Sequence, residues 1–127
     1  MDKPPPEFVI RLGDVALNRD ELESTIGVGL DRYEPSRKGT KHFAQISLSD
    51  TASPWPAVVE FLEKVGPRIA DLIRHRMIGS ASIDFAIYAK AEAFTFVTVP
   101  AQVAALAGQN LIDVEMSFYP GAPEDQS

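Results

Sequence analysis

A short basic loop carries the residues of this chain that are best suited to binding chemistry. Arg37, Lys38, Lys41 and His42 surround Gly39 within six consecutive residues. A loop with glycine and cations can hold a phosphate or a carboxylate through its backbone N–H groups. The spacing is not that of a P-loop, which needs four residues between its first glycine and a Gly-Lys-Ser/Thr sequence. We therefore expect either a weak anion-binding site at these four side chains or a solvated connection between two strands.

Two other groups of titratable residues have the residue types of catalytic sites but lack the arrangement. Asp113 and Glu115 lie two residues apart on one predicted strand and therefore share a face of the sheet. Asp84 of a neighbouring strand would join them there in a weak acidic cluster. His75 lies between two arginines at a helix end, where cations complement the helix dipole. We expect structural roles for both groups, and we name no catalytic residue.

The composition excludes several classes of chemistry. The chain has 127 residues with no cysteine and two histidines, which excludes disulfides, thiol catalysis and zinc sites built on cysteine. Its net charge of −6 is unlike that of the basic domains that bind nucleic acids. No apolar run approaches the roughly 20 residues that span a bilayer. We expect no cofactor, no metal, no nucleic-acid partner and no membrane partner. The start of the sequence lacks the apolar region of a signal peptide, which predicts a cytoplasmic protein.

The length and the end sequences predict one domain. Domains run to about 100–200 residues, and a hydrophobic content of 45% is enough for a core. Three prolines, Pro4–Pro6, open the chain, and Pro120, Gly121 and Pro123 interrupt regular structure at its end. We expect a single domain over residues 1–127, with an ordered part from about 7 to 119 and flexible ends at 1–6 and 120–127.

Alternation of apolar and polar residues predicts the strands. Gly13 and Asp14 are expected to end the first of them, and the last is expected to turn Ile112, Val114, Met116 and Phe118 toward the core. A short link predicts a hairpin between the third and the fourth long strand. The predicted strands are Glu7–Leu12, a short piece at Leu30–Tyr33, His42–Leu48, Ser82–Ala89, Phe94–Val99 and Leu111–Tyr119.

End signals predict two short helices. Asn18, with Glu21 three residues later, has the sequence of a capping box and begins the first helix. Gly27 is expected to end that helix. Pro100 is expected to begin a second one, because proline is tolerated in a first helical turn, and Gly108 to end it.

A longer helical stretch is predicted from Pro54 to Ile78. Its apolar residues recur at intervals of three and four, which is typical of a helix that packs one face on a sheet. We expect a break at Gly66-Pro67, because proline removes a backbone hydrogen bond and clashes with the preceding turn. The fold class that follows is α+β, a two-layer sandwich of one mainly antiparallel sheet with helices packed on one face.

Several aromatic and aliphatic residues are predicted to lie on the sheet face opposite to the helices. Strand parity puts Phe43 and Tyr88 there, and Val97 and Val99 would extend the patch. Exposed apolar patches usually mark partner surfaces. We expect either a homodimer through this outer face or cover by the chain's own loops and tail. The negative net charge also suits a basic protein partner.

The order of the predicted elements resembles a known family. The pieces that carry the resemblance are Phe8–Gly13, Leu17–Leu22 followed by Gly27, Arg37–Gly39, Phe61–Val65, the strand to Tyr88 and Leu111–Tyr119. Together they resemble bacterial domain-of-unknown-function family 4279 over residues 8–119. The resemblance implies no established activity and no catalytic residue, and it implies an antitoxin- or immunity-type context for some members.

Two functional hypotheses follow. The first is a non-enzymatic protein-interaction module, or one of immunity or regulatory type, that uses the sheet face or the acidic surface. The second is a small-molecule or anion-binding domain, or a small enzyme, that uses the basic loop from Arg37 to His42. A flat sheet with exposed apolar residues favours the first hypothesis, and a deep pocket around the loop favours the second.

Overall fold

The chain folds as five strands and four helices within the residues that the structure describes. These residues are 8–35, 41–48, 54–89 and 98–120 of a computed structural model. The strands form one sheet in the order β2-β3-β1-β4-β5. In chain order the elements are β1 (Phe8–Val15), α1 (Arg19–Ile26), β2 (Arg32–Glu34), β3 (His42–Leu48), α2 (Pro54–Lys64), α3 (Gly66–Arg74), β4 (Ser80–Ala89), α4 (Ala101–Gln109) and β5 (Asp113–Pro120).

The sheet is mixed, with a single parallel pairing at one edge. β1 pairs antiparallel with β3 and with β4, and β2 pairs antiparallel with β3. β4 and β5 are parallel. The chain between β4 and β5 passes through α4, and a crossover of this kind returns the next strand in the same direction. The predicted α+β class with a mainly antiparallel sheet is therefore confirmed.

One face of the sheet forms the core with the helices. The central strands contribute Phe8, Ile10 and Leu12 from β1, which are at most 4% exposed. Their neighbours across both ladders are also buried, except Leu48, which is half-buried, and all four helices contribute side chains to the same cluster. These further core residues include Ala44, Ile46, Ala81, Ile83, Phe85, Leu22, Ile26, Val58, Leu62, Ile69, Val103 and Ala107.

The first helix has the ends that the sequence predicts. Asn18 Oδ1 accepts a hydrogen bond from Glu21 N at 2.8 Å, and Glu21 Oε1 accepts one from Asn18 N at 2.9 Å. Gly27 ends the helix with φ at 84°, in the left-handed region that favours glycine. The predicted capping box and the predicted stop are both confirmed.

The first strand runs further than the sequence indicates. Gly13 and Asp14 were expected to end it, but β1 continues to Val15 through a bulge, where Asp14 has φ at 51°. Leu12 pairs with Ala44 and Val15 with His42, so β1 contains one extra residue between the two pairs. The extra residue shifts the alternation of faces by one position, so Val15 rather than Asp14 faces the core and is fully buried.

The predicted break in the long helical stretch is confirmed. α2 ends at Lys64 and α3 begins at Gly66, with Pro67 in its first turn. The buried side chain of Asn110, just after α4, forms a bridge to α2 beside this junction: Nδ2 donates to Leu62 O of α2 at 3.3 Å and to Leu106 O of α4 at 2.9 Å. A Cβ on Gly66 would lie 2.6 Å from that Nδ2, so glycine is what allows the close approach.

Some predicted boundaries shift, and others lie outside the described residues. α3 ends at Arg74 rather than near Ile78, and α4 continues past Gly108 to Gln109. Thr98 and Val99 precede α4 and belong to no strand, although the sequence predicted one at Phe94–Val99. Residues 94–97, the predicted flexible end at 1–6 and residues 121–127 of the predicted flexible end at 120–127 are outside the described residues, whereas residue 120 is the last residue of β5.

The Asn110 bridge makes a prediction for stability. Asn110→Ala removes two hydrogen bonds at a buried position, and we expect the free energy of unfolding to fall by about 1–3 kcal/mol. Urea denaturation followed by circular dichroism measures this change. Gln109→Ala is the control, because Gln109 is exposed at the same helix end, and it should change stability by less than about 0.5 kcal/mol. Equal effects from both variants would show that the bridge contributes nothing.

Candidate functional site

The last strand exposes a row of large apolar side chains. Val114, Met116 and Phe118 are 38%, 39% and 60% exposed, and Leu111, two residues before the strand, is 45% exposed. We call these four residues the β5 ledge. The expectation that Val114, Met116 and Phe118 face the core is therefore wrong, whereas Ile112 is buried at 3% as predicted.

Val114, Met116 and Phe118, the strand residues of the ledge, lie on the helix side of the sheet but beyond the helices. In the parallel register Val114 lies beside Ile83 and Met116 beside Phe85, and both β4 residues are buried in the core. Residues side by side in neighbouring strands share a face of the sheet. Ile112 N donates to Ala107 O at 2.9 Å, which holds the start of β5 against the end of α4. The helix layer thus covers the core face of β4 and leaves that of β5 exposed.

The two edges of the described sheet are unlike. β2 has three residues, its Arg32 and Glu34 are exposed and charged, and Pro35 follows it. Short, charged edges with a nearby proline resist the addition of another strand. β5 is eight residues long, and within the part of the chain that the structure describes it pairs on one side, with β4. Its other side offers backbone N–H and C=O groups next to an apolar row.

A cluster of polar side chains lies on the opposite face of the sheet. Asp84 is only 6% exposed there. Arg11 Nη1 donates to Asp84 Oδ2 at 2.8 Å, and Ser117 Oγ lies 2.9 Å and 2.8 Å from the two carboxylate oxygens. Glu115 Oε1 is 3.9 Å from the same Arg11 nitrogen. We call Arg11, Asp84, Glu115 and Ser117 the outer-face cluster.

The outer-face cluster ties three strands together rather than presenting reactive groups. A buried carboxylate is costly unless it is paired and hydrogen-bonded, and Asp84 has both a cation and a hydroxyl donor. Glu115 lies beside Asp84 in the register, as the sequence predicted, whereas Asp113 lies beside Ser82. Arg11 lies within reach of both carboxylates. Among the described residues, no group of three or more His, Cys, Asp or Glu side chains is arranged to hold a metal ion.

The predicted anion-binding residues are described in part. Arg37 and Lys38 lie outside the described residues. Lys41 is exposed, and His42 begins β3 half-buried, with its ring centre 5.4 Å from that of Tyr33. The imidazole therefore lies against an aromatic ring at the edge of the core, and an anion site at these four residues stays a prediction.

Tyr33 links this corner of the sheet to the segment before α1. Its hydroxyl donates to Leu17 O at 2.6 Å. Burial, with a smaller contribution from the negative charge of Glu21, raises the pKa of Tyr33 above its usual value. The phenol is thus a neutral hydrogen-bond donor, and its role here is to hold β2 against the start of α1.

The predicted outer-face interaction surface is also described in part. Phe43 lies half-buried on the outer face, and Val99 is half-buried against the core. Val97 and the side chain of Tyr88 lie outside what the structure describes. The charged and polar side chains of the outer-face cluster occupy the middle of this face. A homodimer through the outer face stays a prediction.

An open groove lies between α4 and the junction of α2 and α3. Its volume is about 600 Å³, and it is lined in part by Glu63, Asp71 and Arg74. Arg74 Nη1 donates to Asp71 Oδ1 at 3.3 Å, and both side chains are more than half exposed. Asn110 lines the groove with an amide that already donates to two backbone carbonyls. The groove therefore presents an exposed surface ion pair and a structural amide.

Comparisons with protein-family models, with curated proteins and with solved structures find no match for this chain. The resemblance to family 4279 accordingly stays a prediction. None of the helices in the described ranges is long and apolar enough to cross a membrane. What the chain does must follow from the chemistry of its own surface.

The outer-face cluster makes a prediction of its own. Asp84→Ala leaves Arg11 and Ser117 without their shared acceptor in a buried position, and we expect the free energy of unfolding to fall by about 2–3 kcal/mol. Urea denaturation measures the effect. Glu115→Ala is the matched control on the neighbouring strand, because its side chain is 56% exposed, and it should cost less than about 1 kcal/mol. A loss that is no larger for the Asp84 variant would contradict this account.

Proposed function

We propose that this chain is a non-enzymatic protein-interaction module whose binding surface is the free edge of β5 together with the β5 ledge. The observation that carries the proposal is the distribution of exposed apolar surface. Of the four large apolar residues that are exposed among the described residues, three belong to this one strand and the fourth, Leu111, lies two residues before its start. Contiguous exposed apolar surface on a folded domain usually marks a place where a partner binds.

Strand addition is the mode of recognition that fits this edge. A partner in an extended conformation pairs its backbone with the free edge of a sheet, and its alternate side chains bind to the surface on either side. β5 offers eight residues of backbone and an apolar row on the helix side of the sheet. On the outer side, Asp113 and Glu115 are exposed and acidic. The partner strand would therefore present apolar residues to the ledge and polar or basic residues to the two carboxylates.

The outer-face cluster supports a non-enzymatic role. Its one buried carboxylate, Asp84, is engaged by Arg11 and Ser117 and holds three strands in register. An antitoxin-, immunity- or regulatory-type function is a proposal within the same class, because each of these works by binding a protein. The alternative, a small-molecule or anion-binding domain or a small enzyme that uses the basic loop from Arg37 to His42, has a weaker basis, since the described imidazole of His42 lies against Tyr33.

The proposal is tested by selecting partners for the edge. We expect a phage-displayed library of random heptapeptides, panned on protein immobilised at low density, to yield extended peptides with alternating apolar residues. Their affinity for the chain in solution is measured by fluorescence polarisation. Met116→Lys places a charge in the ledge, and we expect it to weaken binding of the selected peptides at least tenfold, which is about 1.4 kcal/mol.

Gln102→Lys is the matched control, because it adds the same charge at an exposed position on α4. This variant should bind the selected peptides as tightly as the unmodified chain does. Failure to select any peptide, or selection of peptides that bind the Met116 variant equally well, would overturn the proposal. Circular dichroism of both variants establishes that the fold is retained.

A further inference from the structure

We infer that the strand that pairs with β5 in solution is β5 of a second copy of this chain, antiparallel to the first and related to it by a two-fold axis at Met116. The inference rests on the proposed function, because it names the occupant of the same edge. Closed two-fold dimers are the commonest oligomers, and in them one surface must be complementary to itself. The sequence of β5 meets that condition in one register.

The geometry of antiparallel pairing limits the possible registers. Residues that lie opposite each other in a ladder share a face of the sheet. When a strand pairs with its own copy and the two sheets continue one another, the two-fold axis must pass through a residue rather than between two residues. Near the middle of β5 the possible centres are Glu115, Met116 and Ser117.

The register centred on Met116 is self-complementary. It places Val114 opposite Phe118 of the copy and Met116 opposite Met116, so that the apolar residues of the strand meet one another. On the outer face it places Glu115 opposite Ser117, and Arg11 lies 3.9 Å from that glutamate as a countercharge. No two like charges lie directly opposite, which is the arrangement that stabilises cross-strand pairs.

The two neighbouring registers are worse for physical reasons. Centring on Glu115 places the two Glu115 carboxylates directly opposite each other, which is destabilising. Centring on Ser117 brings Pro120 into the ladder opposite Val114, and proline has no N–H to donate. The Met116 register leaves Pro120 just beyond the paired segment, which runs from Asp113 to Tyr119.

The other edge of the sheet explains why such pairing gives a closed dimer. β2 is short, charged and followed by proline, so it does not offer a second site for strand addition. Pairing through β5 alone uses the one open edge that the sheet of described strands leaves in each copy. Two copies then share one continuous sheet, in which the two β5 ledges form a single apolar strip on the helix side.

The first arm of the test is the oligomeric state. We expect sedimentation equilibrium at high micromolar concentration to give the mass of a dimer. Met116→Lys brings two like charges together at the axis, and we expect it to raise the dissociation constant about 100-fold or more. Gln102→Lys adds the same charge on α4 and should leave the dimer intact. A monomeric unmodified chain, or a dimer that the Met116 variant does not weaken, would overturn the inference.

The second arm tests the register by cross-linking. Because the chain contains no cysteine, each introduced cysteine is the only thiol of its variant. Opposite residues in an antiparallel ladder have Cβ atoms about 4.5–5.5 Å apart, close to the distance that a disulfide needs. We expect Met116→Cys to form a disulfide-linked dimer rapidly on oxidation. A mixture of Val114→Cys and Phe118→Cys should cross-link to each other faster than either does to itself.

Ser47→Cys, at an exposed position on β3, is the control and should cross-link slowly. Rapid linkage of Val114→Cys or of Phe118→Cys to itself, or equal rates at all positions, would overturn the assigned register. The two proposals fail separately. Selected peptides that bind a strictly monomeric chain through the ledge would leave the proposed function in place and remove the second copy as occupant.

Discussion

The helix layer of this protein is narrower than its sheet, and most of what is unusual about the molecule follows from that mismatch. The four helices bury the core face of β1, β3 and β4, where Ile10, Ala44 and Ile83 are fully buried. β5 continues the sheet beyond that cover, so its core-side residues are apolar but remain in contact with water. Burying such surface is worth roughly 25 cal/mol for each Å² removed from water. The exposed row is therefore a source of binding free energy that the described fold leaves unused.

The position of the charged residues makes the edge more suitable for binding than the outer face. In the middle of the outer face, Asp84 is buried between Arg11 and Ser117, and those bonds join β1, β4 and β5. A partner that covered this face would have to desolvate the partly exposed arginine, which costs free energy. At the edge, in contrast, the unpaired backbone groups gain hydrogen bonds when a strand is added. The cluster bonds β5 to β4 and, through Asp84, to β1, and a preorganised edge lowers the entropy cost of binding there.

Local signals in the sequence predict local structure well in this chain. The capping box at Asn18, the stop at Gly27 and the break at Gly66-Pro67 each depend on the chemistry of a few adjacent residues, and all three are confirmed. The sequence does not predict that β1 continues through Asp14. Gly-Asp is typical of a turn, and the pairing with β3 that extends the strand is between segments distant in the sequence.

The candidate binding surface on β5 is harder to predict, because it too depends on contacts between segments that are distant in the sequence. Alternation in β5 identifies which residues share a face, and the structure agrees that Val114 and Met116 share the face of Ile83 and Phe85. Alternation does not say whether a helix lies over that face. That depends on how many strands the helices span and on which strand lies at the edge. The convergence of Asp84 and Glu115 was predictable from strand parity, whereas the neutralising position of Arg11 follows from β1 pairing with β4.

Amide hydrogen exchange tests most directly whether another chain occupies the edge of β5 that the described strands leave unpaired. Exchange at residues 113–119 is compared at low and at high protein concentration, with β3, residues 42–48, as the internal reference. The account predicts that protection of the β5 amides rises with concentration while protection in β3 stays constant. Protection of β5 that is the same at both concentrations, whether high or low, would contradict it, because the edge would then be covered by the chain itself or by nothing at all.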